Sequence, residues 1–218
     1  MASTNGKVAV LESVPQATVI EIPRISVQRM HITLIGTSPL ISHAWSPKAK
    51  QMMLDKQTKK AAQKKDAKEP FTDYIDSLYW LTPRPAHPDE TAVAAAQFGF
   101  PSVAFKASAV AACRFVNGIK MTEARGAFHI AGEFVPIEGH PSMREDMVRL
   151  QTGVADIRYR GEFKDWKAVL PVDYNTAVLS PEQILNLFSI AGFGVGVGEW
   201  RPSTNGSFGM FRVATQDD

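Results

Sequence analysis

The stretch WKAVLPVDYNTAVLSPEQILNLFSIAG, residues 166–192, decides the fold. Its first part alternates, so that Trp166, Ala168, Leu170, Val172 and Tyr174 fall on one face of a strand. Ser180-Pro181-Glu182-Gln183 then has the form of a capping box, with proline at the first helical position. Ile184, Leu185, Leu187, Phe188 and Ala191 make the buried stripe of the helix that follows, and Gly192 is its stop signal. A strand followed by an amphipathic helix implies a sheet with helices packed on it.

The same logic extends outward. Residues 29–35 alternate, with Met30, Ile32 and Leu34 on one face, and end at Gly36 before Thr37-Ser38-Pro39-Leu40. Ser102 can cap a helix over 103–116 whose alanines (104, 107, 109, 111 and 112) keep it thin enough to lie close on a sheet, with Gly118 beyond it. Residues 128–135 and 155–163 read as strands, as do 193–200 and 208–213, and 18–22 could add an edge. Between 45 and 98 lies a long excursion with an aromatic patch (Phe71, Tyr74, Tyr79, Trp80) and turns at Pro83, Pro85 and Pro88. The element order predicts an α+β fold, a ferredoxin-like (RRM-like) βαββαβ core with a long Lys-rich insertion and a β-hairpin. The expected organisation is one domain over 17–214, with 45–98 as insertion and with tails at 1–16 and 215–218.

Composition bounds the function. The chain has 218 residues, 44% hydrophobic and 21% charged, enough to bury a core. No apolar run reaches the roughly 18–20 residues that span a bilayer, so no membrane partner is expected. Residues 1–16 lack the basic start and apolar core of a secretory leader. One cysteine, Cys113, excludes an internal disulfide framework and a Cys-based zinc cluster. Together these point to a reducing, cytosolic setting. The net charge is only +2, so any case for nucleic acid depends on where the charge sits.

The charge is concentrated. Between 48 and 68 there are eight lysines against Asp55 and Asp66. The segment opens Ser46-Pro47, a cap and first-turn proline, and its composition favours a helix with little to bury. Lys48, Lys50, Lys56, Lys59 and Lys60 either form a solvated face or a basic arm that meets phosphates.

Several chemistries are absent from the pattern. There is no Gly-x-x-x-x-Gly-Lys loop, and the glycines at 192, 194, 196 and 198 follow a helix instead of opening one. The five histidines lack paired ligand spacing, Cys113 reads as a small core residue, and Asp73 and Asp76 have no partner base. No cofactor, metal or catalytic set is predicted.

What remains is a set of groups suited to a polyanion. Gly196, Gly198, Gly206 and Gly209 would let a backbone come close and offer N–H donors to phosphate; equally, alternating glycines let a final strand pack tightly. Arg201 would add charge, and Trp200 or Phe208 a stacking surface for a base. Lys106 sits near a helix start, where terminal N–H groups favour an anion, and Arg114 follows eight residues on, rotated by roughly 80°, so both can border one groove or simply snorkel. Arg158 and Arg160 share a strand face opposite Ile157 and Tyr159; with Arg125, Arg144 and Arg149 they suggest a basic hairpin within 128–163.

Three segments, taken in order, resemble the marks of the RAMP superfamily, the ferredoxin-like RNA-binding subunits of CRISPR effectors. They are Leu34–Leu40 with its Ser38-Pro39-Leu40, residues 100–114 with Pro101, Ser102, Lys106 and Arg114, and residues 192–213 with Gly198-Glu199-Trp200-Arg201 and Gly206-Ser207-Phe208-Gly209. They cover about a quarter of the chain. Ala107 stands where that family has glycine, and two residues separate Gly206 from Gly209 where it has one. The general look is also similar to phage and prophage proteins. The resemblance implies a hairpin, or thumb, that wedges between bases and touches a neighbouring subunit. The expected function is non-catalytic binding of RNA or single-stranded DNA by a subunit that self-assembles into an oligomer or filament, with other effector or virion subunits as further partners. A virion or assembly protein, and a nuclease using Asp73 or Asp76, are the alternatives.

Overall fold

The computed structural model describes residue 22 and residues 24–59, 68–149 and 152–218. Alternation shapes β1 (Val27–Gly36), in which Ile32 and Leu34 are buried and Arg29 and His31 are not. The chain continues through β2 (Leu40–Ser42), α1 (Pro47–Gln57), α2 (Pro70–Asp76), β3 (Tyr79–Trp80), α3 (Glu90–Ala95) and β4 (Phe98–Pro101). Next come α4 (Ser102–Ala112), a 3-10 turn (Cys113–Phe115), α5 (Met121–Ala127), β5 (Phe128–Ile130), β6 (Phe134–Glu138), β7 (Pro141–Arg149) and β8 (Ala155–Phe163). The last elements are β9 (Lys167–Asn175), α6 (Pro181–Gly194), a second 3-10 turn (Pro202–Thr204) and β10 (Phe211–Val213).

The result is an α+β architecture with two antiparallel sheets. The larger runs β10-β1-β9-β6-β4-β3, with β5 also on β9; the smaller runs β2-β8-β7. In the larger sheet Ile32 lies opposite Leu170 and Leu34 opposite Ala168, so the buried residues of β1 and β9 share a face. Against them pack Phe105 from α4 and Ile184 and Phe188 from α6, all in one core cluster. Phe105, Trp166 and Phe211 meet ring to ring with centroids 6.2–6.4 Å apart. Trp166 donates its Nε1–H to the Ser38 carbonyl at 2.9 Å, and its ring fills the space beside Gly36 that a side chain would need.

The capping box at Ser180 forms as the sequence predicts: Ser180 Oγ accepts from the Gln183 amide at 3.2 Å, and Gln183 returns a bond at 2.9 Å. Ser46 caps α1 in the same manner, with Oγ accepting from Ala49 N at 3.1 Å. Cys113 is buried, and burial pushes its thiol pKa up.

Three expectations are corrected. The strand read over 128–135 is two strands, β5 and β6, split where Gly132 turns with φ +86°. Residues 193–200 are not a strand: α6 runs past Gly192 to Gly194, and a turn-rich loop follows. Strand pairing in 208–213 begins only at Phe211. The 45–98 excursion contributes β3, which joins the larger sheet through β4. The edge proposed at 18–22 and the tail at 1–16 fall almost wholly outside the described residues. Residues 215–218 fold back, with Asp218 paired to Arg212 and accepting from the Thr215 amide at 2.7 Å.

The hairpin β7–β8 is held at its base. Tyr74 donates its hydroxyl to the Pro141 carbonyl at 3.0 Å, and Ser77 Oγ accepts from Gly161 N at 2.7 Å. Burial, helped by Glu90, pushes the Tyr74 pKa up to about 12. Register puts Arg144 opposite Arg160 and Asp146 opposite Arg158, so these four share one face. On the other face, Met147 opposes Ile157 and both are exposed, while Gly161 is covered by Leu78.

Candidate nucleic-acid interface

The charged face of the hairpin is wired together. Arg144 reaches Asp146 at 2.8 Å and Glu162 at 2.7 Å, while Arg160, only 3% exposed, donates to Asp146 at 3.3 Å. Arg160 also faces Glu199 at 3.8 Å, and the Glu199 carboxylate meets His43 Nδ1 at 3.1 Å. Three distant segments, after β2, on the hairpin and after α6, are joined through this network. The His43 ring beside Glu199 holds its carboxyl below the usual carboxylate range against the opposing effect of burial, with Arg160 and Arg201 acting the same way.

The loop after α6 is built by close backbone approach. Gly209 has φ +64°, and a Cβ there would lie 1.7 Å from the Val197 carbonyl oxygen; at Gly206 it would lie 1.7 Å from the Trp200 carbonyl oxygen. Trp200 itself takes a left-handed φ of +55°, a conformation that costs a non-glycine residue roughly 1–2 kcal/mol. It is held there by the Phe208 amide, which donates to its carbonyl at 3.0 Å. Arg201 pins the same turn, donating to the Gly198 carbonyl at 2.8 Å and to Ser203 Oγ at 3.0 Å. Both acceptors are neutral, so these bonds leave its charge in place.

Between this loop and the hairpin is an open cleft of about 320 Å³ lined by Val148, Arg149, Arg158, Arg160, Glu199, Trp200, Arg201 and Thr204. It sets four guanidinium groups against one carboxylate. Two of the four also face carboxylates outside the lining: Arg160 faces Asp146, and Arg158 lies 3.7 Å from Asp156. Arg160 Nε is buried and has no hydrogen-bond partner. Such a cleft suits an anion with a flat ring to lay against the indole.

Arg158, Arg160, Trp200 and Arg201 are therefore brought together as the sequence suggested. The glycines are not at hand in the way proposed. The amides of Gly196, Gly206 and Gly209 donate to the carbonyls of Ala191, Arg201 and Pro39 at 2.8, 3.1 and 2.7 Å, which leaves them turned into the protein and not toward a phosphate. Gly198 has φ +78°, and a Cβ there would lie 2.6 Å from the Ile41 carbonyl oxygen, so it too serves close internal packing. Phe208 is not an open stacking surface, because the Arg144 guanidinium covers it at 4.5 Å from the ring centre.

Lys106 and Arg114 do not line this cleft. Lys106 donates to the Arg125 carbonyl and meets His129 Nδ1, both at 2.9 Å, and partial burial lowers its pKa. It borders a second open depression, of about 360 Å³, with Val103, Ala107, Val110, Met121 and Arg125. That also removes Arg125 from the basic hairpin. Arg114 is exposed on the 3-10 turn after α4. Lys48, Lys50 and Lys56 lie on α1, which buries no residue, and Lys50 stands 5.9 Å from the Trp45 ring centre. Lys59 follows the helix with φ +55°, and Lys60 lies outside the described residues.

Sequence reasoning missed His43, Asp146 and the part played by Glu199. A signal existed: Arg144 and Asp146 alternate along one strand, and Asp156, Arg158, Arg160 and Glu162 along the next, and in the register the opposite charges Arg144–Glu162 and Asp146–Arg160 meet on the diagonal. Asp76 is engaged by Arg84 at 2.7 Å. Among the described residues no group of three or more His, Cys, Asp or Glu is placed to hold a metal ion, and no helix is long and apolar enough to cross a membrane. No protein-family model and no curated protein sequence matches the chain.

Proposed function

We propose that the chain binds single-stranded nucleic acid, without catalysis, in the cleft between the hairpin and the loop after α6. The observation that carries this is the convergence of Arg149, Arg158, Arg160 and Arg201 on Trp200, from two segments far apart in sequence. Guanidinium groups for phosphates beside an indole for a base are the two elements that hold single strands.

The strand order supports the finer reading of the fold. Along β10-β1-β9-β6, the core strands stand fourth, first, third and second, with α4 preceding the second and α6 the fourth. That is the order of a ferredoxin-like βαββαβ sheet, and it favours a RAMP-like subunit. In this reading the 45–98 segment, with α1 to α3 and β3, is an insertion, and β7–β8 is the thumb. Exposed Phe115 and Phe193 on the helical side give such a subunit an apolar surface for self-association along the strand.

The test is fluorescence anisotropy of a labelled oligonucleotide at two salt concentrations. Binding should weaken with salt, with a log–log slope near −0.7 for each phosphate neutralised. Absence of binding at low salt, or binding indifferent to salt, would overturn the proposal, and recovery of shortened strands would replace it with a nuclease.

A further inference from the structure

We infer that the cleft selects guanine in the strand it holds, an inference that rests on the nucleic-acid reading above. A carboxylate on the wall of a cleft works against phosphate, since like charges repel. Yet Glu199 lines it directly beside Trp200. Its side chain is 41% exposed. One oxygen, Oε1, meets His43 Nδ1, and the other lies 3.8 Å from Arg160, beyond hydrogen-bond distance. An ionised carboxylate has about four acceptor sites, so Glu199, on the lining of the cleft, keeps acceptor capacity beyond these two contacts.

The group is also fixed in direction. Its backbone N–H donates to the Ile41 carbonyl at 3.1 Å, and the carbonyl of the preceding Gly198 accepts from Arg201 at 2.8 Å. A ring lying on Trp200 therefore meets a stationary acceptor at one edge and the guanidinium groups of Arg149, Arg158 and Arg201 around it.

Guanine is the base that answers both. Its N1–H and N2–H groups are adjacent donors matched to a carboxylate, while O6 and N7 are acceptors matched to a guanidinium fork. Adenine and cytosine bring a single amino donor to a carboxylate, and uracil a single imide N–H. Glu199 thus converts a general polyanion cleft into one with a base preference, and its repulsion of phosphate keeps guanine-free strands weakly bound.

The experiment compares three short labelled oligoribonucleotides of the same length: all uridine, uridine with one central guanosine, and uridine with inosine there, which lacks the N2 amine. The wild-type protein should bind the guanosine strand roughly tenfold tighter than the uridine strand, and inosine should lose most of that gain. Glu199→Gln should bring the guanosine-to-uridine ratio close to unity and tighten binding of the uridine strand, because the carboxylate charge is gone. The inosine comparison needs no altered protein, so it decides the matter even where the variant fails to fold. Equal affinity of the wild type for all three strands, or a ratio retained in Glu199→Gln, overturns the base preference and leaves the nucleic-acid reading standing. Failure to bind any strand removes both. GMP added as competitor separates a strand from a free nucleotide: displacement by GMP at concentrations matching the guanosine strand supports the guanine site and assigns it to the mononucleotide.

Discussion

The Arg144 guanidinium stacks 4.5 Å from the centre of the Phe208 ring, so the hairpin and the loop after α6 are clamped by a contact between a cation and an aromatic face. Arg144 is at the same time tied to Asp146 and Glu162. The two walls of the cleft are thus set at a fixed separation by residues that do not line it.

Phe208→Ala should therefore loosen the hairpin from the loop. Loss of the ring should lower stability by about 1–2 kcal/mol, measured by urea unfolding, because the cation loses its aromatic face and its stem loses packing. Phe208→Tyr, which keeps the ring, should restore most of it.

Glycine substitutions separate crowding from backbone strain. At Gly209 both apply, with φ +64° and a carbonyl 1.7 Å from the Cβ position; Gly209→Ala should cost about 3 kcal/mol or more. Gly118 has φ +99° and nothing within 4 Å, so Gly118→Ala should cost only about 1 kcal/mol. Equal thermal shifts in the two would refute the packing described for the loop.

Arg158 and Arg160 alternate on one strand face, yet their substitutions should differ in kind. Arg160 is 3% exposed and lies between Asp146 and Glu199, so Arg160→Ala should lose about 1–3 kcal/mol, since Asp146 keeps Arg144 but loses a buried charged hydrogen bond. Arg158 is 37% exposed, and Arg158→Ala should change stability by less than about 0.5 kcal/mol. In the anisotropy titration, however, Arg158→Ala should reduce the salt slope by about 0.7.

Acid should weaken the clamp in a defined direction. The Glu199 pKa is held below its ordinary 4.5 in the folded chain, so the stabilisation is present above that value and is lost as pH falls through the folded pKa. Urea midpoints taken down the acid limb should fall less steeply in Glu199→Gln than in the wild type below about pH 4.5. A parallel pair of curves would show that His43 and Arg160 do not hold this carboxylate.

The parts of the fold legible in the sequence are those where polarity and period coincide. The strand read at 166–174 is observed as Lys167–Asn175, the one at 155–163 at the same bounds, and the Ser180 cap forms as expected. The strand β7 was invisible because Ser142, Arg144, Asp146 and Val148 face a charged network in place of an apolar core, so its alternation is not one of hydrophobicity. Residues 193–200 misled in the opposite sense: Val195 and Val197 are buried where the helix gives way to a turning loop, not by a strand, and the positive φ at Gly196, Gly198 and Trp200 has no signature in periodicity. At the site, the arginines of β8 and the Trp200–Arg201 pair were recognisable as residue types suited to polyanions. That Lys106 would be drawn to His129, or that the loop glycines would meet their own chain, depends on packing between elements remote in sequence.

The order of the two walls along the polypeptide has a consequence during synthesis. The hairpin leaves the ribosome well before the segment that carries Glu199, Trp200 and Arg201, and that segment is then sewn to Pro39 and Ile41, which were made first. A nascent chain therefore displays only one wall of the cleft, and the cleft is complete only when the last loop has been translated.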